Sequence, residues 1–563
     1  MHKILDVFRP KLTDVFHHYS RETFIKDLMS GIIVGIVALP LAIAFAIASG
    51  VAPEVGLITA VVGGFIVSLI GGSSVQIGGP TGAFIVIVYG IVHQFGLDGL
   101  IVATLMAGIL LVLMGALRLG SLIKFIPYPI VVGFTAGIAI TIFSTQINDL
   151  LGLGIENVPG NFVEKWIVYF EDIWQINPVE AAFGFSSILI IVLTPFVSKK
   201  IPGSLVSIVI LTLVAYFMIQ SGGPSVDTIG HRFAISDHIP APHLPRLDFP
   251  TMRALFPSAF TIALLGAIES LLSASVADGV IGKKHNSNTE LIAQGAANIV
   301  VPFFGGIPVT GAIARTMTNI NNGGRTPVAG LIHAFVLLLI LLFLGPLMSY
   351  IPMSCLAGVL VVVAYNMSGW RSVVSISKGD HEGTVVMFVT FFLTIFFDLT
   401  VAIEVGMLIA MFIFMKRVTE SSELIVSRDN ISLSYGNDVQ SAADADLLQL
   451  PDGIEVYEIN GPFFFGIANR FEDLMDSFHS IDKPTVRILR MRKVPFMDST
   501  AVYNMKSLVT TSQNDGVKLV LSGVSEKVHS RLRKAGLAES IGEENICSYI
   551  DQAVRRATEL VEK

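Results

Sequence analysis

The chain has 563 residues, 52% of them hydrophobic and only 14% charged, with a mean hydropathy of +0.70. A soluble globular chain carries nearer a quarter charged residues, so the composition excludes an ordinary soluble protein and reads as a polytopic α-helical membrane protein. The formal net charge of −7 says less than its distribution, and the two cysteines, Cys355 and Cys547, suggest neither a disulfide framework nor a thiolate metal site.

The first residues, to Phe24, are polar and end in a basic run, unlike a cleaved signal peptide; residues 1–27 read as a cytoplasmic N-terminal segment, and the first membrane helix directs insertion. Apolar segments follow at 28–49, 55–70, 81–93, 97–116, 127–147, 181–198 and 203–220, giving a first set over 28–220. A Pro-, His- and Asp-rich stretch at 221–252 reads as an extracytoplasmic loop. A second set over 253–416 has segments at 254–277, 287–303, 310–320, 327–348, 353–368, 383–397 and 399–415. The segments at 81–93 and 310–320 are too short to cross a bilayer as regular helices, which need roughly 20 residues.

Counting these two as spans makes positive charge consistent with orientation. With the N-terminus inside, Arg118, Lys124, Lys199, Lys200, Lys283, Lys284, Arg325, Arg371, Lys378, Lys416 and Arg417 fall in inner loops. The outer loops are nearly bare: Lys165 sits among Glu156, Glu164, Glu171 and Asp172, and the long 221–252 stretch holds Arg232 and Arg246, with Arg253 just past it. Both termini are therefore expected inside. Seven segments per set is an odd number, so the second set lies inverted relative to the first. The echo between FIPYPIVVGF (Phe125 to Phe134) and YIPMSCLAGV (Tyr350 to Val359), each opening the fifth segment of its set, agrees with that arrangement. After Arg417 charged residues dominate, and strand-like runs from Ile454, Thr485 and Val517 alternate with amphipathic stretches at 467–480, 499–513, 525–535 and 549–561. This alternation predicts a small α/β domain over 425–563.

The two short segments carry the functional expectation. GGSSVQIGGPTGAF (Gly71 to Phe84) and GGIPVTGAIAR (Gly305 to Arg315) each leave an apolar helix through a glycine pair and enter a half-helix through an extended stretch containing proline. A helix N-terminus leaves backbone N–H groups unpaired and carries roughly half a positive charge. Two such ends facing each other would bind an anion, as discontinuous helices do in many secondary transporters. The backbone at Thr81, Gly82, Ala83 and Phe84 and at Gly311, Ala312 and Ile313 is the expected cradle. Arg315 would add a full charge, or else serve a carboxylate or helix-end carbonyl, and Thr310 is placed to cap its helix. Glu269 lies in the middle of an apolar segment, where an ionisable group costs about 3 kcal/mol, so it should face a cavity or partner. Glu269 with Ser273, one turn on, reads as a site for H⁺ or Na⁺; the structural alternative is a hydrogen bond to a neighbouring helix. Asp278 reads as interfacial, and His93 and His333 as helix-packing histidines. No nucleophile-elbow or metal-ligand spacing occurs, so no enzyme activity, metal site or cofactor is expected beyond a coupling ion.

Together the GGPTGAF and GGIPVTGAIAR segments, GAIESLL around Glu269, KKHNSNTELIAQGAANI from Lys283, FFDLTVAIEVG from Phe396 and the trailing α/β domain resemble the SulP family of anion transporters. The resemblance covers nearly the whole chain. It implies fourteen spans in a core and a gate domain, an anion between the third and tenth half-helices, elevator-type transport, homodimers, and a bacterial cytoplasmic-membrane location. It also implies that the tail is a cytoplasmic STAS domain. Relatives of that domain carry a phosphorylatable serine in an Asp-Ser-Ser-Gly or Asp-Ser-Thr-Gly turn; here Asp498-Ser499-Thr500 retains the start while Ala501 replaces the glycine, so Ser499 is a phosphate acceptor or simply a helix-start serine. Family members carry sulfate, bicarbonate or small dicarboxylates. Some sodium-coupled bicarbonate members have Asp and Thr where this chain has Glu269 and Ser273; the departure weakens a sodium site and leaves H⁺ and Na⁺ both open as the coupling ion. The expected function is cation-coupled transport of a small anion. Two alternatives are an anion sensor reporting through the STAS domain to a cytosolic protein, and a channel-like anion pathway. No nucleic-acid partner is expected.

Overall fold

The computed structural model describes residues 8–15, 19–121, 127–156, 158–197, 202–222, 224, 226–233, 242, 248–379, 381–397, 399–420, 423–427, 430–432, 447–465 and 483–562. Lys124, Lys199, Lys200 and the amphipathic stretch at 467–480 lie outside them. The chain divides into two compact units, Met1–Leu408 and Ile409–Lys563.

The first unit is helical. Its elements are α1 (Arg21–Ala48), α2 (Pro53–Ile70), α3 (Ile85–Ala116), α4 (Tyr128–Leu151), α5 (Phe162–Glu171), α6 (Pro178–Val197) and α7 (Gly203–Gln220). They continue with α8 (Phe249–Ile281), α9 (Ser287–Val300), α10 (Ile313–Asn321), α11 (Val328–Met348), α12 (Met353–Met367), α13 (Trp370–Gly379) and α14 (His381–Phe396). A further helix, α15 (Leu399–Glu420), follows. Among the described residues nine helices are long and apolar enough to cross a membrane. One of these, Gly82–Ala116, contains both the first half-helix and the segment after it: Gly96, at φ 70° and ψ −171°, breaks α3 between them. A positive φ of this kind is open to glycine at no steric cost.

The helices sort into two packed groups. In one, α1 packs on α11, and α3 packs on α8 and α9, with α2 and α10 wedged among them. In the other, α4 packs on α12 and α14, and α6 on α7 and α12. Without a hydrophobic driving force in lipid, such packing depends on close approach at small residues. At the α3–α9 crossing a Cβ on Gly108 would sit 2.7 Å from the Ile299 nitrogen, and one on Gly295 would sit 2.6 Å from the Val112 nitrogen. The two backbones touch there. The echoed helix starts behave alike: Pro127 (φ −61°, ψ 134°) and Pro352 (φ −66°, ψ 137°) are the N-cap residues of α4 and α12, which pack against each other.

The second unit has a five-stranded sheet. Numbering the strands after the short pair β1 (Gly78–Gly79) and β2 (Thr310–Gly311) of the helical unit, it contains β3 (Glu423–Ser427), β6 (Ile454–Asn460), β7 (Val486–Lys493), β8 (Lys518–Ser522) and β9 (Ile546–Cys547) in that order. Strand β3 is antiparallel to its neighbour and the other pairings are parallel. A separate antiparallel pair joins β4 (Asn430–Ser432) and β5 (Leu447–Gln449). Side chains alternate across the sheet: Leu489, Met491 and Leu521 meet α16 (Ser499–Asn514), α17 (Glu526–Lys534) and α18 (Leu537–Ile541). Val486, Ile488 and Val520 meet α19 (Ile550–Val561) on the opposite face.

Candidate anion-binding site

The two breaks meet. Strands β1 and β2 pair antiparallel, with Gly78 opposite Gly311 and Gly79 opposite Thr310, and the Ala312 N–H donates to the Ile77 carbonyl at 2.9 Å. Irregular backbone inside a membrane protein survives only where its polar groups are satisfied. Here one face of α9 performs much of that task. Asn286, Glu290, Gln294 and Asn298 recur every fourth residue and therefore line one side of the helix. Glu290 accepts from the Gly72 and Ser73 N–H groups at 2.9 and 3.1 Å and from Gln294 Nε2 at 2.8 Å. Asn298 grips the second break from both sides: its Oδ1 accepts from the Val309 N–H at 2.8 Å and its Nδ2 donates to the Val309 carbonyl at 2.7 Å. Thr59, at the start of a π-helical turn in α2, accepts from the Ile307 N–H at 2.9 Å, and Asn319 of α10 donates to the Val75 carbonyl at 2.8 Å. In the sequence the α9 run stands out only as a family motif; the four-residue recurrence of its polar residues was the available signal for this bracing role.

Two helix starts emerge from this braced crossing. The first passes through Thr81, whose hydroxyl accepts from the Ala83 N–H at 3.4 Å, into a turn at Gly82–Phe84 and then α3. The second is α10, nine residues and about 13 Å long. Its N-cap residue, Ala312, offers no side-chain cap, and its first helical bond runs from the Thr316 N–H to the Ala312 carbonyl. The N–H groups of Ile313 and Ala314 thus precede the helical ladder. Both residues are partly or fully exposed and line a cavity of about 580 Å³.

That cavity has Thr81, Gly82, Glu269, Ala312 and Arg315 on the same side, and Val132, Thr135, Val359, Val363, Asn366 and Met367 from α4 and α12 facing them. The structure brings together Thr81, Gly82, Ala312, Ile313, Arg315 and Glu269. Ala83, Phe84 and Gly311 are not cavity lining: Ala83 and Phe84 are buried behind it and the Phe84 N–H is already spent on the Thr81 carbonyl. Gly311 instead admits Gln76, whose Nε2 lies 1.6 Å from where a glycine-replacing Cβ would stand.

Arg315 is 2% exposed; its Nη2 donates to the Pro80 carbonyl, and its Nη1 lies so close to Gly79 that a Cβ there would be 2.2 Å away. Its partner is neither a carboxylate nor a helix-end carbonyl but a carbonyl of the extended break, and the guanidinium ties α10 to the first break while lining the cavity. Glu269 is half-buried, with its carboxylate toward the cavity and no hydrogen-bond or ion-pair partner among the described residues. Two expected contacts differ. Ser273 is 1% exposed and donates to Thr316 Oγ1 at 3.3 Å, so it braces α8 against α10 rather than joining Glu269 at the cavity. Thr310 does not cap α10, because its hydroxyl donates to the Gly266 carbonyl at 2.9 Å. Asp278 pairs with His285 at 2.7 Å, buried His333 faces Gly64, and His93 stacks on Tyr89.

In the second unit, Asp498 caps α16 by accepting from the Ala501 N–H at 2.8 Å, and it accepts from the Phe465 N–H at 3.1 Å. Ser499 is exposed at the helix start and accepts from Arg531 Nη2 at 3.3 Å.

A multi-pass helical unit in which two broken helices meet and turn the Gly82 helix start, the Ile313 and Ala314 N–H groups and an arginine toward one cavity is an anion transporter by class. The chain belongs to the sulfate permease family, which it matches over residues 24–390, and residues 447–553 match the STAS domain. Relatives include "Putative sulfate transporter YvdB" of Bacillus subtilis, 39% identical with 95% of this chain and 98% of that protein covered. Another is the bicarbonate transporter BicA of Picosynechococcus sp., 29% identical with 94% of each chain covered. Among solved structures, the transmembrane domain of a cyanobacterial BicA aligns with a TM-score of 0.62 and 30% identity, covering 68% of this chain and 98% of that one. The structure of SLC26A9 shares the fold, with a TM-score of 0.86 at 18% identity over 100% of this chain and 94% of the other.

Proposed function

We propose that this protein is a secondary active carrier of a small oxyanion or carboxylate, with sulfate, bicarbonate and succinate as the candidate substrates. The anion sits against the N-terminal ends of the α3 half-helix and α10, and Glu269 takes up the coupling proton. The observation that carries the reading is the antiparallel pairing of the two breaks, which turns the Gly82 and Ile313 helix starts to one cavity beside Glu269. Unpaired N–H groups at a helix start favour negative charge. A bound anion would complete the hydrogen bonding of the Ile313 and Ala314 amides without a second arginine.

A proton rather than Na⁺ is favoured by the surroundings of Glu269. Ser273, the residue expected to share a sodium ion with it, is 1% exposed and directed to Thr316 rather than to the cavity that Glu269 lines. A lone carboxylate facing a cavity needs no further ligand to bind a proton. In the elevator reading, the group containing α1 to α3 and α8 to α11 carries the braced crossing past α4 and α12.

The test is uptake into proteoliposomes of purified protein, comparing radiolabelled sulfate, bicarbonate and succinate under an inward H⁺ gradient, an inward Na⁺ gradient, or neither. Accumulation of one anion under the proton gradient supports the proposal. Accumulation under Na⁺ alone would reassign the coupling ion, and flux that follows the anion gradient regardless of either cation would overturn the carrier in favour of a channel.

A further inference from the structure

A second cavity, of about 390 Å³, has no role in the site above. It is lined by Tyr89 and His93 of the first arm of α3, Thr141 and Thr145 of α4, and Asn161 and Lys165 at α5. Helix α4 passes both cavities. Its residues 128–135 line the first and residues 141–145 the second, a separation of about 15 Å between Thr135 and Thr145 at 1.5 Å per residue. Between them the path is plugged: Phe84, Ile138 and Ile142 are 1%, 0% and 0% exposed, and the Ile142 Cδ1 lies 3.5 Å from the position a Cβ would take on Gly82. The two cavities therefore approach the Gly82 helix start from opposite ends.

Lys165 is the unexplained group in the second cavity. It is only 3% exposed and has no ion-pair or hydrogen-bond partner among the described residues. Its sequence neighbour Glu164 is exposed on the helix surface. Burying an ammonium without a counter-charge is costly, and the burial pulls its pKa down to about 8. Around it stand Thr141, Thr145 and Tyr89, whose hydroxyls donate to the Gly137, Ile142 and Val158 carbonyls at 3.0, 2.7 and 3.4 Å, and the imidazole of His93, so the ammonium of Lys165 with the His93 ring supplies the donors an anion would meet. A cationic chamber of this size, with no carboxylate in its lining among the described residues, suits a small anion.

We propose that this chamber is an anion-collecting vestibule on the face opposite the first cavity, and that Lys165 gains its missing counter-charge by holding the anion before it reaches the Gly82 and Ile313 helix starts. The role rests on the carrier reading above. A charge in a low-dielectric cleft raises the local concentration of its counter-ion by tenfold or more. Lys165 thus sets apparent affinity at its own face.

The experiment uses the full-length protein in oriented proteoliposomes, with whichever of radiolabelled sulfate, bicarbonate or succinate the wild type accumulates. Lys165→Gln should raise KM about tenfold for anion presented at the vestibule face, with unchanged Vmax from that face and unchanged KM at the other face, where detailed balance then requires the Vmax of the opposite flux to fall by the same factor; Lys165→Arg should keep the wild-type value. Lys165→Cys in a Cys547→Ser background adds a second readout. Modification with the cationic 2-aminoethyl methanethiosulfonate should restore the low KM, and the anionic sulfonatoethyl reagent should not. An unchanged KM in Lys165→Gln, an equal rise at both faces, or equal rescue by both reagents would overturn the vestibule. A wild type that accumulates no anion would instead overturn the carrier reading itself, so the two failures are distinguishable.

Discussion

Asn298→Ala removes one side chain and exposes the bracing of the second break to measurement. Asn298 is fully buried, and its amide satisfies both the N–H and the carbonyl of Val309, at 2.8 and 2.7 Å. Alanine leaves two backbone groups without partners in an apolar interior. Each unsatisfied buried group costs about 1–3 kcal/mol, so the substitution should destabilise the protein by about 2–6 kcal/mol, toward the lower end if water enters the space vacated by the amide. Asn298→Asp keeps the acceptor for the Val309 N–H; protonated, its O–H replaces the donor to the Val309 carbonyl and it should cost less than alanine, whereas ionised it has no donor there and should cost more. The assay pairs thermal unfolding of the detergent-purified protein with KM for the transported anion. Freed of Asn298, the strand leading to α10 no longer fixes the Ile313 and Ala314 amides, and KM should rise along with the loss of stability. A variant with wild-type melting temperature and wild-type KM would refute the claim that α9 holds the second helix start in place.

Four further outcomes are expected. Glu269→Gln should insert normally, lose concentrative uptake under a proton gradient, and retain anion exchange, checked by counterflow; normal accumulation would remove Glu269 from coupling. Ser273→Ala loses one 3.3 Å hydrogen bond to Thr316, worth about 1 kcal/mol, and should leave the cation dependence of uptake unchanged. Gly295→Leu forces a side chain into backbone only 2.6 Å away and should cost more than the 1–3 kcal/mol typical of overpacking, read as loss of folded protein by fluorescence size-exclusion chromatography. Lys165 gives a pH dependence with a definite sign: it is cationic below its pKa of about 8 and neutral above, so KM at the vestibule face should rise between pH 7 and 9. His93 and Tyr89 are the other titratable groups lining that chamber, and Lys165→Arg should abolish the rise if the lysine is responsible.

The breaks and Glu269 were legible because each is a one-dimensional signal: glycine and proline interrupting an apolar run, or a carboxylate within one. The fold followed from the same signals, since two half-helices too short to span must belong to a larger helical unit. What the sequence hid was the far side of each contact. Ser273 does share a face with Glu269, as i+4 spacing requires, but Thr316 arrives from a helix forty residues on and takes its hydroxyl. Thr310 stands where a cap would stand, yet its hydroxyl goes to the Gly266 carbonyl rather than to the N–H groups of α10. Ala83, Phe84 and Gly311 belong to the right turns and face away from the cavity, because a turn of helix presents only part of itself to any one side. Gln76, buried against Gly311, carried no signal at all, being one polar residue in a loop of small ones.

The distribution of hydrogen bonds bears on how such a site would move. The two helix starts are joined by the β1–β2 pairing, by Arg315 on Pro80, by Thr316 on the Ile77 N–H at 3.1 Å, and through α9 and Thr59 to the rest of their helical group. Moving one half-helix without the other would break several buried hydrogen bonds at about 1–3 kcal/mol each. Across the cavity the packing is of another kind: Met367 Sδ and Ile142 rest against Gly82, and valines of α4 and α12 complete the wall. Apolar surfaces such as these can slide with little directional cost, because the dispersion attraction given up at one position is regained at the next. The cheapest large displacement is then one that carries both helix starts, Arg315 and Glu269 together past α4 and α12, which is the movement the elevator reading requires and the reason the anion and the proton would travel as one load.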